Sequence, residues 1–176
     1  MKIKIYNHNV MIKNFKKEFI NKRYISFLND KRINKFLSTK LKKQNKNDCL
    51  IYFNKFDFKK NFFFAIFDIK SKKIIGTITA RLQPGNKCML GNMIGDYKYI
   101  GSKQSLDSFN MFLCFVFDYF KAHTIIGGTN KYNISSNFNL IKNGFKMFKK
   151  NKKHFYFKLN KKNLNFTTKY RISKND

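Results

Sequence analysis

The chain has no tryptophan, few acids, no paired cysteines and no long apolar run, and each shortage removes a class of protein. Cys49, Cys88 and Cys114 are odd in number and lack paired spacing. That argues against a disulfide framework or a zinc site and leaves small core residues in a reducing compartment. No stretch approaches the roughly 20 apolar residues that span a bilayer. The N-terminal "MKIKIYNHNVMIKNF" has no apolar stretch of signal-peptide length, so a cytoplasmic protein is expected. Nine Asp and Glu stand against 38 Lys and Arg, a formal net charge of +29. Such a field favours anionic partners, whether nucleic acid, anionic lipid or small phosphorylated ligands. The missing tryptophan, beside 22 phenylalanines and abundant Lys, Asn and Ile, points to AT-biased coding, which also fills solvated positions with lysine.

What is present is a sizeable apolar fraction in alternating elements. With 176 residues, 43% of them hydrophobic, the chain suits one domain, expected over 1–160, with 161–176 a basic C-terminal tail left unassigned. "IKIYNHNVMIKNF" is strand-like, and "NKRYISFLNDKRINKFLS" suits one or two short helices broken near Asn29 and Asp30, with Asp30 capping the second. Lys40 to Asn47 reads as a loop, and Asp48 starts a helix through about Phe56. "NFFFAIFDIKSKKIIGTITARLQ" is a hairpin turning at Lys70 to Lys73, followed after Pro84 and Gly85 by a strand to Ile94. A helix over Ser105 to Lys121, the strand "HTIIGGT", a helix over Ser136 to Asn143 ended by Gly144, and "HFYFKL" closing the sheet complete the order. The fold class is mixed α+β, a largely antiparallel sheet flanked by helices, with a strand, loop, helix and strand unit inserted.

The loop of that unit, "GDYKYIGSKQSLDS", lies where many proteins cradle a phosphate. Such loops have several glycines, whereas this one has only Gly101 between Tyr97 and the helix. Its main-chain donors remain: Ser102, Lys103, Gln104 and Ser105 each carry an N–H at a helix N-terminus, where the dipole favours an anion. Lys103 adds a charge, and Ser105 is small enough for close approach.

Four segments in order, "SFLNDKRINKFL", "FFFAIFDIKSKKIIGTI", "LGNMIGDYKYIGSK" and "NISSNFNLIKNGF", together resemble the GNAT acetyltransferases, in the branch of the ribosomal-protein-alanine and amino-sugar enzymes. The resemblance covers about residues 10 to 160. It implies acetyl transfer from acetyl-CoA, as co-substrate, to a primary amine. In the family a pattern R/Q-x-x-G-x-G/A binds the CoA pyrophosphate; here the arginine falls on Ile100 and the glycines on Lys103 and Ser105. If the loop needs a left-handed residue at Lys103, a side chain there costs on the order of 1–2 kcal/mol.

By the same resemblance Met93, Ile94, Gly95, Gly101, Ser102, Lys103, Gln104, Ser105 and Asn133 would contact the cofactor. A backbone N–H near Ile94 would stabilise the oxyanion, and Asn133 would reach the pantetheine. Ser136 would protonate the leaving thiolate, although Asn133 and Ser136 also suit a helix N-cap. The family's tyrosine acid falls on Leu140, and the glutamate of some relatives falls on Met89. Asn92 is left to hold a water and Arg32 to hold the acceptor. Without an enzyme base, the expected acceptor is a small, anionic amine of low pKa, foremost a nucleotide-linked amino sugar, with a protein N-terminus as the alternative. A degenerate binding module is the other reading of the same fold. The basic, aromatic "NGFKMFKKNKKHFYFK" matches an RNA-recognition motif poorly, so nucleic acid is not the expected partner. No metal is expected, and the oligomeric state is left open.

Overall fold

The computed structural model describes residues 2–37 and 42–173. Strands β1 (Lys4–Tyr6) and β2 (Val10–Asn14) form a hairpin, so the first strand-like run is two strands. Its turn is held by the Asn7 side chain, which accepts from the N–H groups of Asn9 and Val10 at 2.9 Å each. Helices α1 (Lys22–Asn29) and α2 (Lys31–Asn34) follow, and Asp30 caps the second by accepting from Arg32 N, as its position predicts. Part of the Lys and Asn tract, residues 38–41, lies outside the described residues. Helix α3 (Lys46–Phe53) starts two residues before the expected Asp48. Asn45 is the N-cap, and Asp48 closes a reciprocal capping box from the third helical position.

The hairpin of β3 (Asn61–Asp68) and β4 (Ile74–Gln83) forms as expected and continues into β5 (Lys87–Ile94). Helix α4 (Lys103–Asp118) begins earlier and ends earlier than the periodicity suggests. Ser102 caps its start, and Lys121 adopts a left-handed φ of 53° beyond its end. Strand β6 (Thr124–Asn130), helix α5 (Ile134–Lys142), β7 (Lys146–Lys150) and β8 (His154–Asn160) complete the body. Strand β7 is an addition to the sequence reading, because its "KMFKK" shows no buried alternation: all five residues are exposed. It is the charged edge of the sheet, and β8 sits inside it. The C-terminal segment is also more than a tail. Leu164 and Tyr170 pack on the core, and β9 (Arg171–Ser173) pairs with β1.

Among the described residues nine strands run in the order β7-β8-β6-β5-β4-β3-β2-β1-β9. Each neighbouring pair is antiparallel except β5 and β6, which are parallel and therefore need the α4 crossover between them. Strand β3 is buried on both faces, which explains its unbroken apolar run. Phe62, Phe64 and Ile66 pack with Phe112, Phe115 and Val116 of α4, and Phe63 and Ala65 pack with Phe15, Tyr24 and Phe27 beneath α1 to α3. The face that α1 to α3 cover over β3 carries no helix over β6 to β8 among the described residues. No helix among the described residues is long and apolar enough to cross a membrane.

Gly144 ends α5 in the left-handed region, at φ 92°, and a Cβ there would lie 1.8 Å from the Asn163 carbonyl oxygen. Backbone strain and the clash act together, so Gly144→Ala is expected to cost about 2–4 kcal/mol in chemical denaturation, detaching the 160–170 segment from α5.

Candidate active site

The parallel pair β5 and β6 is hydrogen-bonded only from Lys87↔Thr124 to Leu90↔Gly127. Beyond that point β5 runs on to Ile94 and β6 to Asn130, so the two strands part and open a gap in the sheet. On its other side β5 stays paired with β4 up to Gly76↔Ile94. Gly95 N donates to Ile75 O at 2.8 Å, which sets the alternation: Met93 and Gly91 direct their amides to β4, while those of Asn92 and Ile94 face the gap. Of the three consecutive candidates, then, Ile94 presents an N–H to the gap. Gly95 has its amide engaged, and the Met93 side chain packs with the α1 to α3 cluster. Alternation places the Asn92 side chain on the α4 face, with Cys88, Leu90 and Ile94, and not on the opposite face. On that opposite face two exposed glycines, Gly91 and Gly128, flank the gap. A Cβ on Gly91 would meet Thr79 Oγ1 at 2.7 Å, and one on Gly128 would meet the Tyr156 ring at 3.4 Å.

The α4 face of the gap ends in the loop from Gly95 to Ser102. Asp96 caps a 3-10 turn over Tyr97–Tyr99, then Gly101 takes φ 74° with open space around it. Lys103 is the first residue of α4 and lies outside the set of non-glycine residues with positive φ, so the strain allowed for at this position is absent and the left-handed residue is Gly101. Ser105 does not offer itself to a ligand: it is buried, its N–H donates to Ser102 Oγ at 3.2 Å and its hydroxyl to Ser102 O at 2.9 Å. The amides of Gly101, Lys103 and Gln104 have no partner among the described residues, which leaves three donors free at the positive end of a 16-residue helix.

A buried carboxylate holds this loop in place, and the sequence reading missed it. Asp68, 3% exposed at the end of β3, accepts from Ser71 N at 2.8 Å, Tyr99 OH at 3.2 Å and Gln104 Nε2 at 3.4 Å. Burial pushes its pKa up, but the hydrogen bonds together outweigh it and hold the carboxyl below the usual range. Gln104 thus ties α4 to β3 through its side chain and leaves its amide for a ligand.

On the α1 side Gly95 lies under the Phe27 ring, where a Cβ would come within 2.2 Å, so only glycine fits. A cleft of about 360 Å³ opens beside it, bounded by Arg23, Phe27, Asp30, Arg32, Asp96 and Tyr97. Arg32 lines it but is engaged: its Nη2 donates to Asp30 at 2.6 Å and its guanidinium lies 4.3 Å from the Tyr97 ring centre. Arg23 pairs with Asp96 at 2.6 Å.

Asn133 is the N-cap of α5 and accepts from Ser136 N at 3.2 Å, so the capping role foreseen for this pair is real. Asn137 anchors the helix start to β6, accepting from the Thr129 hydroxyl and donating to Lys131 O at 3.0 Å. The Ser136 hydroxyl has no hydrogen-bond partner among the described residues. Burial pushes the Cys88 thiol up to about 12, which removes it as a base. No cluster of metal-ligating side chains occurs among the described residues.

No family model and no curated protein matches the chain. Solved structures do. A GNAT-family acetyltransferase from Bacillus anthracis superposes with a TM-score of 0.77 at 18% identity, over 92% of this chain and 99% of that one. RimJ of Mycobacterium smegmatis, in complex with CoA-disulfide, gives 0.75 at 12% identity over 95% and 89%. Spermidine N-acetyltransferase from Vibrio cholerae, in complex with CoA and spermine, gives 0.74 at 13% identity over 89% and 98%. The fold is the GNAT acetyltransferase fold, as the sequence motifs imply.

Because Asp68 is held ionised in the fold, its stabilising contribution is present above the unfolded carboxylate pKa of about 3.9 and disappears as pH falls through the lower folded value. Asp68→Asn should therefore lower the melting temperature at pH 7, with the difference from wild type shrinking below about pH 4. Thermal unfolding over that pH range measures it.

Proposed function

We propose that the chain transfers an acetyl group from acetyl-CoA to a primary amine. The observation that carries this is the parting of β5 and β6 beside a helix N-terminus with three unpartnered amides. The amides of Gly101, Lys103 and Gln104, with the dipole of α4 and the Lys103 charge, suit a pyrophosphate. The gap then receives the pantetheine arm, and acetyl-CoA brings a thioester to the level of Ile94. There the Ile94 N–H faces the carbonyl oxygen and stabilises the negative charge that develops on it. The amine enters between Gly91 and Gly128, its nitrogen bonds to the carbonyl carbon, the C–S bond breaks, and the amine proton passes to water. Ser136 is the candidate donor to the thiolate, its hydroxyl being reprotonated from solvent. Holding the reactants at attack distance supplies roughly 7–11 kcal/mol of the barrier reduction.

Neither β5 nor β6 carries a carboxylate beside the gap, and this shapes the choice of acceptor. An amine near pKa 7.7–8.0 is over about ten percent neutral at pH 7, whereas a lysine near 10.4 needs about 3.5 kcal/mol more to lose its proton. Amino sugars resemble the former, and a sugar linked to a nucleotide carries a diphosphate that a chain of net charge +29 attracts. A basic protein N-terminus would meet the same field and be repelled. The reading is therefore an acetyltransferase for a nucleotide-linked amino sugar.

Calorimetry should show acetyl-CoA binding, weakened about tenfold or more by Gly101→Val, which removes the left-handed turn feeding the donors. Silence towards acetyl-CoA would sink the reading in favour of a binding module. With acceptor present, the rate should still rise through about pH 8, since the substrate amine and not the enzyme loses the proton. Ser136→Ala should lower kcat while acetyl-CoA affinity holds. A rate already flat from pH 6 would reveal an enzyme base, and a lysine peptide preferred to the sugar would overturn the acceptor.

A further inference from the structure

The face of β6 to β8 that no helix covers among the described residues has a charge pattern that acetyl transfer alone does not require. Strand pairing aligns its outward side chains in rows. One row runs Lys146, Lys158, Ile126, Met89, Arg81 across β7, β8, β6, β5 and β4. The next runs Lys149, Tyr156, Gly128, the gap, then Gly91 and Thr79. Lys146 and Lys158 are direct cross-strand partners, both exposed, and like charges placed opposite each other destabilise a sheet. No acid relieves them. Between residues 119 and 175 there are 14 Lys and Arg and no Asp or Glu, and β4 and β5 contain none either. None of Arg81, Lys146, Lys149 and Lys158 forms an ion pair among the described residues. Two of these lysines lie beside aromatic rings instead, Lys149 Nζ 5.9 Å from the centre of Tyr156 and Lys158 Nζ 5.9 Å from that of Phe148. Tyr156 lies over Gly128, the residue on β6 just past the last pair with β5.

We propose that this bare face recognises the anionic half of the acceptor, a diphosphate carried about one sugar ring away from the reacting amine. Lys149 and Lys158 are its specificity-determining cations, and Tyr156 is the surface against which the ring lies. The inference rests on the acetyl-transfer reading and refines its acceptor. Neighbouring strands stand about 4.8 Å apart, so Tyr156 is one strand from the gap and Lys149 two, on the order of 10 Å. A small acceptor whose amine reaches between Gly91 and Gly128 thus brings a phosphate over β7 and β8 when a single ring separates the two groups. An unphosphorylated polyamine or a basic peptide would bring positive charge onto the same lysines and be rejected there.

The test uses UDP-glucose, which has no amine, titrated into the full chain already saturated with CoA. Binding is expected in the presence of CoA, on the order of 30-fold weaker in the double variant Lys149→Ala/Lys158→Ala and unchanged in Lys22→Ala/Lys31→Ala, which removes equal charge on α1 and α2. The melting temperature of the first double variant should hold or rise, because it removes opposed like charges. With UDP-glucosamine as acceptor, that variant should raise KM and leave kcat in place, while free glucosamine is unaffected. UDP-glucose displaced by CoA, equal loss in both double variants, or tight binding of short RNA with no response to UDP-glucose would each overturn the proposal. The two readings separate cleanly. UDP-glucose binding that depends on Lys149 and Lys158 without any acetyl transfer upholds the anion face and removes the enzyme. Transfer to neutral amines without that dependence keeps the enzyme and removes the face.

Discussion

The protein depends on a parallel strand pair that stops being a pair. From Leu90 and Gly127 onward β5 keeps its ladder to β4 but gives up its ladder to β6. A sheet interior normally satisfies every amide, whereas the N–H groups of Asn92 and Ile94 have no strand partner among the described residues. The opening needs a rigid frame on both sides, and it has one. Strand β5 is braced by eight residue pairs with β4, and β6 by seven with β8.

The carboxylates show how a chain with so few acids folds under a large positive charge. Asp30 caps α2, Asp48 closes the capping box of α3, and Asp96 caps the turn after β5 and pairs with Arg23. Asp57 accepts from the amides of Lys59, Lys60 and Asn61, which push its pKa down to about 2. Asp68 fastens the loop at the start of α4. These acids satisfy backbone donors or lock turns at points where a local partner is required, and among them only Asp48 also pairs with a lysine, Lys42, among the described residues. The face of β6 to β8 is consequently left with cations and aromatic rings.

Close approach and open space account for the glycines that matter. Gly95 lies against the ring of Phe27, which couples α1 to the end of β5. Gly101 has nothing within 4 Å, and only its left-handed φ turns the chain so that the first amides of α4 point outward. The two positions illustrate opposite reasons for the same residue, one steric and one torsional.

Periodicity and turn chemistry in the sequence sufficed for most elements: the β3 and β4 hairpin, α4, the Asp30 break between two short helices, and Gly144 as a helix end. Each is a local decision, made by residues within a few positions of one another. The motif order likewise pointed to the GNAT fold, and the structural likeness bears that out. Strand β7 escaped because an edge strand of exposed lysines has no apolar alternation to detect. Strand β9 escaped because its partner, β1, lies at the opposite end of the chain, Lys4 pairing with Ser173. The loop before α4 was legible as a helix start, but the division of labour within it was not. That Ser105 is buried, that Gly101 rather than Lys103 takes the left-handed turn, and that Asp68 reaches across to Gln104 depend on contacts between separate elements. The meeting of Gly91 with Gly128, and of Tyr156 with Lys149 beside them, depends on strand register. Register is set by the whole sheet, because a slip of one residue would turn every one of these side chains to the other face.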